Sequence, residues 1–195
     1  GQLQDAFAEE QTAADQVKRE HAVLVVLGNP PYNAYAGVSA PEDGGLVDDY
    51  KEGLVRLWRI RKFNLDDLYV RFFRIAEARI QRTGRGIVCF VSNHSYLSDK
   101  SFVVMREKLL AAFDQMDFDE LNGDSRETGK RTPAGEPDPS IFSTRANPAG
   151  IQVGTAIGLF VRKSPRRSQP IVRIREFWGR EKLAALNAIA MRLRL

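Results

Sequence analysis

The 195-residue sequence contains one cysteine, Cys89, so the chain cannot form an internal disulfide. This scarcity argues against the disulfide-stapled secreted proteins and favours a reducing compartment, which we expect to be the cytoplasm. No apolar run approaches the roughly 20 residues that a membrane-spanning helix needs. The segment Gly1 to Glu20 is polar and acidic, unlike a signal peptide. We therefore expect no membrane partner.

Histidine is nearly as rare, with two residues in the chain. No combination of His, Cys, Asp and Glu has the spacing of metal ligands, so the sequence predicts no metal site. No Ser/His/Asp arrangement indicates a nucleophile. His94 has no partner in the sequence, and we interpret it as a strand-end residue rather than a catalytic one.

Basic charge is concentrated at one end of the chain. Val161 to Leu195 carry ten Lys or Arg and two acidic residues, although the whole chain has a net charge of only +4. Clustered Lys and Arg are typical of proteins that bind a polyanion. The alternative is a solvated helix face with a frayed terminus.

Apolar patterns of strand and helix length alternate along the sequence and predict an α/β fold whose sheet is parallel first and mixed later. The expected strands are Val23–Leu27, Ile87–Val91, Met116–Leu121, Ile151–Arg162 and Ile171–Phe177, and the expected helices are Asp5–Glu20, one from Asn64 to just before Gly84, one capped by Asp99 or Ser101, and Glu181–Leu193. The unbroken run Val23–Leu27 is typical of a strand buried on both faces. Cys89 is expected to be a small buried residue in its strand.

The helix from Asn64 carries an apolar stripe that predicts its buried face. The stripe consists of Leu65, Leu68, Phe72, Ile75 and Ala76. We expect the adjacent aromatic pair, Phe72 and Phe73, to lie in the core. The acidic pair Asp66 and Asp67 is expected to complement the helix dipole.

Residues Asn122 to Gly150 are polar and rich in Gly and Pro. Such a segment cannot support a core, so the sequence predicts a mobile flap near the edge of the site.

The tetrapeptide Asn29-Pro30-Pro31-Tyr32 directly follows the first strand, where ligands bind in open α/β sheets. The Asn29 amide oxygen can accept a hydrogen bond from an exocyclic amino group, and the prolines fix the turn and remove competing N–H donors. Tyr32 offers a flat face on which a planar base can stack. Two acceptors on one amino group hold its lone pair out of conjugation and aim it at an electrophilic methyl group.

These residues, together with LDDLYVRFFRIAEARI and GRGIVCFVSNHSYLSD, resemble the catalytic half of an amino-group, adenine-specific DNA methyltransferase. More specifically, VVLGNPPYNAYAG, RKFNLDDLYVRFF, LNGDSRETGKRTPAGEPDPSIFST, GTAIGLFVRK and FWG are similar to the methyltransferase region of large single-chain, helicase-like (type I single-polypeptide) restriction-modification enzymes. The resemblance covers about Val23 to Leu186.

The resemblance implies a Rossmann-like sheet with helices on both faces, S-adenosylmethionine as cofactor, and double-stranded DNA as a partner whose target adenine is flipped out. It assigns the catalytic roles to Asn29, Pro30 and Tyr32, with Pro31 shaping the turn. Asn93 and Tyr96 lie at the same sheet edge and, with Tyr35, are candidates for substrate contacts.

One feature of such enzymes is missing, since no Gly-rich turn follows a strand anywhere in the sequence. We therefore interpret the chain as a fragment that lacks the cofactor-binding half and cooperates with the other domains of a parent polypeptide. Its expected parts are an N-terminal helix (1–21), the catalytic half (22–163), and a basic strand and helix (164–195) leading to a further domain. The first strand then has an unpaired edge, which makes self-association an expected hazard.

Two other functions remain open from the residues. The NPPY turn suits any planar amide or amino group, so methylation of a protein glutamine or an RNA base is an alternative. A non-catalytic nucleic-acid-binding or docking module is the other alternative, because the cofactor half is absent.

Overall fold

A computed structural model describes residues 5, 7–13, 16, 21–32, 44–63, 65–126 and 128–192. Its strands and helices follow the predicted alternation. In chain order they are β1 (Val25–Gly28), α1 (Asp48–Lys51), α2 (Leu68–Thr83), β2 (Gly86–Asn93), α3 (Ser95–Ser98), a 3-10 turn (Lys100–Phe102), α4 (Val103–Ala112), β3 (Gln115–Asn122), β4 (Thr155–Arg162), β5 (Ile171–Glu176) and α5 (Lys182–Arg192).

The five strands form one sheet in the order β1-β2-β4-β3-β5. β1 is parallel to β2, β4 is antiparallel to both β2 and β3, and β5 is parallel to β3. The predicted α/β sheet, parallel first and mixed later, is confirmed.

Helices lie on both faces of this sheet, as predicted. On one face, Phe73 of α2 packs edge-on against Phe90 of β2 and Phe160 of β4, with ring centroids 5.1 and 5.4 Å apart. Side chains alternate along a strand, so Val91, next to Phe90, points to the opposite face. There it lines a cavity together with Leu186 of α5.

The buried face of α2 differs from the predicted stripe. Tyr69, Phe73 and Ile80 are buried, whereas Phe72 and Ile75 are 43% and 46% exposed. Leu65 and Ala76 of the predicted stripe are buried, as expected, whereas Tyr69 and Phe73 each lie one position beyond the residue that the stripe placed in the core. Phe72 is therefore not a core residue.

Helix α2 begins later than predicted and ends where predicted. The helix begins after Asp67, whose side chain accepts a hydrogen bond from the Tyr69 amide at 3.4 Å. The predicted cap, Asn64, lies outside the described residues. Gly84 ends the helix in the left-handed region, with φ of 82°.

Strand β1 lies at the edge of the sheet and is not buried on both faces, which corrects the prediction. Val25 and Leu27 are 55% and 71% exposed. Among the described residues β1 pairs with β2 alone, Val25 opposite Ile87 and Gly28 opposite Phe90. The run looks like an interior strand because it is apolar on both faces, and within the described residues it has one neighbour. Cys89 of β2 is half-buried rather than buried.

The N-terminal helix is described in part: residues 7–13 are helical and exposed, and the remainder of the predicted span falls largely outside the described residues. None of the helices in the described part of the chain is long and apolar enough to cross a bilayer.

Candidate functional site

The NPPY turn leaves the sheet at the carboxyl end of β1, beside the end of β2. Pro30 is buried and Asn29 and Pro31 are exposed. Because the turn follows a strand parallel to β2, its side chains lie at the edge of the sheet where ligands of open α/β sheets bind.

Asn29 and Tyr32 are hydrogen-bonded to each other. The Tyr32 hydroxyl lies 3.0 Å from Asn29 Oδ1 and 3.2 Å from the Val91 carbonyl oxygen, and both oxygens can accept its proton. Partial burial raises the pKa of Tyr32 to about 12, so the hydroxyl remains a donor at neutral pH. Each accepting oxygen has two lone pairs, and Asn29 Oδ1 therefore retains one for an external donor.

A cavity of about 510 Å³ opens beside Asn29. Its volume is in the range of small-molecule sites. Of the described residues around it, Asn29 and Asn187 are polar, and the apolar wall is formed by Val91, Leu121, Ile141, Phe142, Ile157, Leu183 and Leu186. The cavity therefore combines a mainly apolar wall with the Asn29 amide, an arrangement suited to a planar heterocycle with an exocyclic polar group.

Two residues of this wall, Ile141 and Phe142, were missed by the sequence analysis. They are the large apolar residues of the otherwise polar segment 122–150. An apolar pair within a polar loop could have indicated that this part of the loop packs against the protein. Asn187 was missed as well, because the sequence predicted α5 only as part of a basic segment that leads to a further domain.

The other predicted contacts do not line this cavity. Tyr96 is 1% exposed and packs against Phe73 with ring centroids 4.9 Å apart, so it is a core residue. Asn93 accepts a hydrogen bond from the Ser95 amide at 2.8 Å and lines a separate polar cavity of about 180 Å³. Asn93 is the last residue of β2 and Tyr96 lies in α3. Tyr35 lies outside the described residues.

His94 belongs to a buried polar cluster that joins β2, β3 and β4. Its Nδ1 lies 2.8 Å from Glu120 Oε1, and its Nε2 lies 3.9 Å from Asp124 Oδ2. Asp124 also accepts a hydrogen bond from the Gly154 amide at 2.8 Å. A Cβ on Gly154 would lie 2.2 Å from His94 Nε2, so only glycine leaves room for the imidazole. The cluster holds the ends of these strands together, which agrees with the interpretation of His94 as a strand-end residue rather than a catalytic one.

The segment 122–150 is a loop, as predicted, but it is anchored by a buried carboxylate. Asp138 is 0% exposed and lies 2.7 Å from Lys182 Nζ of α5. It also accepts hydrogen bonds from the Gly123 and Gly179 amides at 2.7 Å each. Burial lowers the pKa of Lys182, and Asp138 opposes this by favouring the ammonium form. One carboxylate therefore joins the loop, the end of β3 and the start of α5, which weighs against a freely mobile flap.

The described residues contain no cluster of His, Cys, Asp and Glu that could hold a metal ion. They also do not fit S-adenosylmethionine, because the turns after β1 and β2 are occupied by NPPY and by the short helix α3 instead of a Gly-rich loop. We assign no residue of this chain to that cofactor.

No protein-family model and no curated protein matches the chain. Solved structures do. It aligns with 26% identity and a TM-score of 0.64 to a DrdV–DNA complex, covering 89% of this chain and 17% of that one. It aligns with a nuclease-deletion mutant of the type ISP restriction-modification enzyme LlaGI in complex with a DNA substrate mimic at 22% identity and a TM-score of 0.66, covering 91% of this chain and 17% of that one.

A third match is the ATP-dependent type ISP restriction-modification enzyme LlaBIII bound to DNA, with 22% identity, a TM-score of 0.59, and coverage of 84% of this chain and 11% of that one. This chain thus spans less than a fifth of each of these proteins. The fold is shared with one region of restriction-modification enzymes whose structures contain DNA.

Proposed function

We propose that this chain is the target-base half of an adenine-specific DNA methyltransferase within a restriction-modification enzyme. The observation that carries the proposal is the Asn29 amide oxygen, held by the Tyr32 hydroxyl at 3.0 Å beside a cavity of about 510 Å³. The shared fold supports it, because the similar regions belong to proteins solved with DNA.

In this proposal the cavity receives a flipped adenine. The apolar wall that includes Val91, Ile157 and Phe142 covers the faces of the base and excludes water. Taking a base out of the stack costs a few kcal/mol, and an apolar cavity of this kind offsets part of that cost.

Asn29 orients the reacting amino group. Its Oδ1 and a carbonyl oxygen of the prolyl turn accept the two hydrogens of the amino group, so the nitrogen lone pair is turned out of the plane of the ring. Holding the group in that geometry lowers the barrier by positioning rather than by proton abstraction. S-adenosylmethionine would supply the methyl group, bound by residues outside this chain.

The decisive experiment is Asn29→Ala in the longer polypeptide that contains this chain. Methyl transfer to duplex DNA, measured with labelled S-adenosylmethionine, should fall by about two to three orders of magnitude, as when one preorganised polar group is removed. Because Asn29 is exposed, the thermal midpoint should hardly change. Gln169→Ala removes an exposed amide from the turn before β5 and serves as the matched control. Unchanged methylation by Asn29→Ala would refute the proposal.

A further inference from the structure

A second cavity, of about 530 Å³, is lined mainly by the loop between β3 and β4, and three of its lining residues are cationic. Lys130 and Arg145 come from the loop, and Arg180 comes from the segment before α5. Three positive charges from separate parts of the chain therefore converge on one concave surface.

Two of these cations have no partner within the described part of the protein. Arg145 and Arg180 form no ion pair or hydrogen bond there, and both are exposed. The arginines of β5 differ, because Arg173 pairs with Asp117 at 3.1 Å and Arg175 pairs with Asp119 at 2.6 Å. Lys130 Nζ donates a hydrogen bond to the Ala149 carbonyl oxygen, a neutral partner that leaves the ammonium charge uncompensated. All three charges at the cavity can therefore act on an external anion.

The single acidic residue in the wall of this cavity does not cancel them. Asp138 is fully buried, and its charge is already balanced by the Lys182 ammonium and two backbone amides. The wall also holds the Ser143 hydroxyl, whose buried oxygen has no hydrogen-bond partner among the described residues. Cations together with a hydroxyl donor are the groups that bind phosphate oxygens in nucleic-acid complexes.

This basic cavity adjoins the cavity beside Asn29. Ile141 and Phe142 line the Asn29 cavity, and the next residues along the chain, Ser143 to Arg145, line the basic one. A nucleotide whose base entered the first cavity would therefore have these cations near it.

We propose that Lys130, Arg145 and Arg180 bind the phosphodiester backbone of duplex DNA next to the flipped nucleotide. The identity of the anion as DNA rests on the proposed function, whereas the location of the site rests on the convergence of charge. A third cavity is lined by Glu136 and also by Arg180, so it borders the basic cavity. The Glu136 carboxylate there repels an anion bound by Arg180.

The test is equilibrium binding of the 195-residue chain to a short fluorescent DNA duplex, followed by anisotropy as salt is raised, without methyl donor. Arg145→Gln and Arg180→Gln should each weaken binding about five- to tenfold at roughly 0.1 M salt and lower the salt slope by about one. Arg85→Gln, an exposed arginine before β2, removes the same charge at the opposite end of the sheet and should leave the slope unchanged. Glu136→Gln should strengthen binding.

Circular dichroism of each variant ensures that the comparison is between folded proteins. The proposal is refuted if the chain does not bind DNA at low salt. It is also refuted if Arg145→Gln and Arg85→Gln weaken DNA binding and lower the salt slope equally. Equally tight binding of polyglutamate would show that it does not select phosphate. Because no methyl transfer is measured, a refuted Asn29 mechanism would leave this result standing, and a refuted phosphate site would leave that mechanism standing.

Discussion

The Tyr32 hydroxyl and the Asn29 amide oxygen lie 3.0 Å apart, and this contact determines which end of the amide is the acceptor. An amide can be rotated by half a turn with little change in shape, and a donor on one side selects the orientation in which oxygen faces it. The sequence suggested only a stacking face for Tyr32. The structure shows that its hydroxyl also contacts Asn29 Oδ1 and thereby orients that amide.

We therefore expect Tyr32→Phe to be impaired rather than silent. Loss of one hydrogen bond of about 1 kcal/mol should lower methyl transfer by the longer polypeptide about fivefold. Tyr32→Ala also removes the ring, and the loss of stacking, worth roughly 1–3 kcal/mol, should make it clearly slower than Tyr32→Phe. Full activity in Tyr32→Phe would show that the hydroxyl contact is incidental.

The buried pair of Asp138 and Lys182 should determine how rigid the loop is. Lys182→Met leaves a buried carboxylate without its cation and should lower the free energy of unfolding by about 3–5 kcal/mol. Adding Asp138→Asn should recover part of that loss, because no unpaired charge then remains buried. Urea unfolding of the two single variants and the double variant measures this coupling.

Hydrogen exchange tests the same contacts without a mutation. The Gly123 and Gly179 amides donate to Asp138 and should exchange far more slowly than the exposed turn residue Ala134. Exchange of Gly123 as fast as that of Ala134 would instead support the mobile flap predicted from composition.

Asp114 should make stability depend on acid pH. Burial raises its pKa, but hydrogen bonds from the Lys163 amide, the Arg166 guanidinium and the Arg167 amide outweigh burial, and the pKa lies below its usual value. A lowered folded-state pKa stabilises the fold above the unfolded value of about 3.9. That contribution should disappear as the pH falls through the folded value.

The corresponding experiment is urea unfolding between pH 7 and pH 3. Asp114→Asn should lower the free energy of unfolding by about 2 kcal/mol at neutral pH. Below about pH 4 its free energy of unfolding should fall less steeply with pH than that of the unmodified chain. Glu107→Gln, which removes an exposed carboxylate, should preserve the steeper fall of the unmodified chain. Parallel curves for Asp114→Asn and the unmodified chain would contradict the prediction.

The exposed edge of β1 should promote self-association. An apolar strand with an unpaired edge tends to pair with another chain, and a charged residue on it opposes pairing. Gel filtration should show an apparent mass that rises with concentration, and Leu27→Lys, at a position 71% exposed, should suppress the rise. A strictly monomeric chain at high concentration would refute this expectation.

The sequence predicted the order of elements and the sheet class well, because the patterns behind them are local. Val25 to Gly28 and Gly86 to Asn93 appear as apolar runs whatever surrounds them. The errors arose where tertiary context decides. Phe72 is as apolar as Phe73, and only the packing of α2 on the sheet distinguishes the exposed ring from the buried one.

The site was predicted in part for the same reason. Asn29 and Tyr32 stand in one tetrapeptide after a strand, and a motif of this kind can be recognised locally. Phe142 and Asn187 line the same cavity although each is more than 100 residues from Asn29 in the chain, and no local sequence pattern predicts that they meet there. Tyr96 was assigned to the site because it follows β2, but α3 carries its ring into the core.

The position of β4 between β2 and β3 has a consequence for the order in which the chain can fold. β2 and β3 are separated by 21 residues in sequence, yet they meet only through β4, which begins at Thr155. Until residues 155–162 are in place, the β1–α2–β2 unit and β3 cannot form one sheet, and each exposes an unpaired edge. Non-local closure of this kind is slow, because the entropy of closing the intervening loop is lost before the strand pairs form. During synthesis the growing chain therefore passes through a stage in which roughly its first four-fifths cannot complete the sheet and depend on the last fifth for closure.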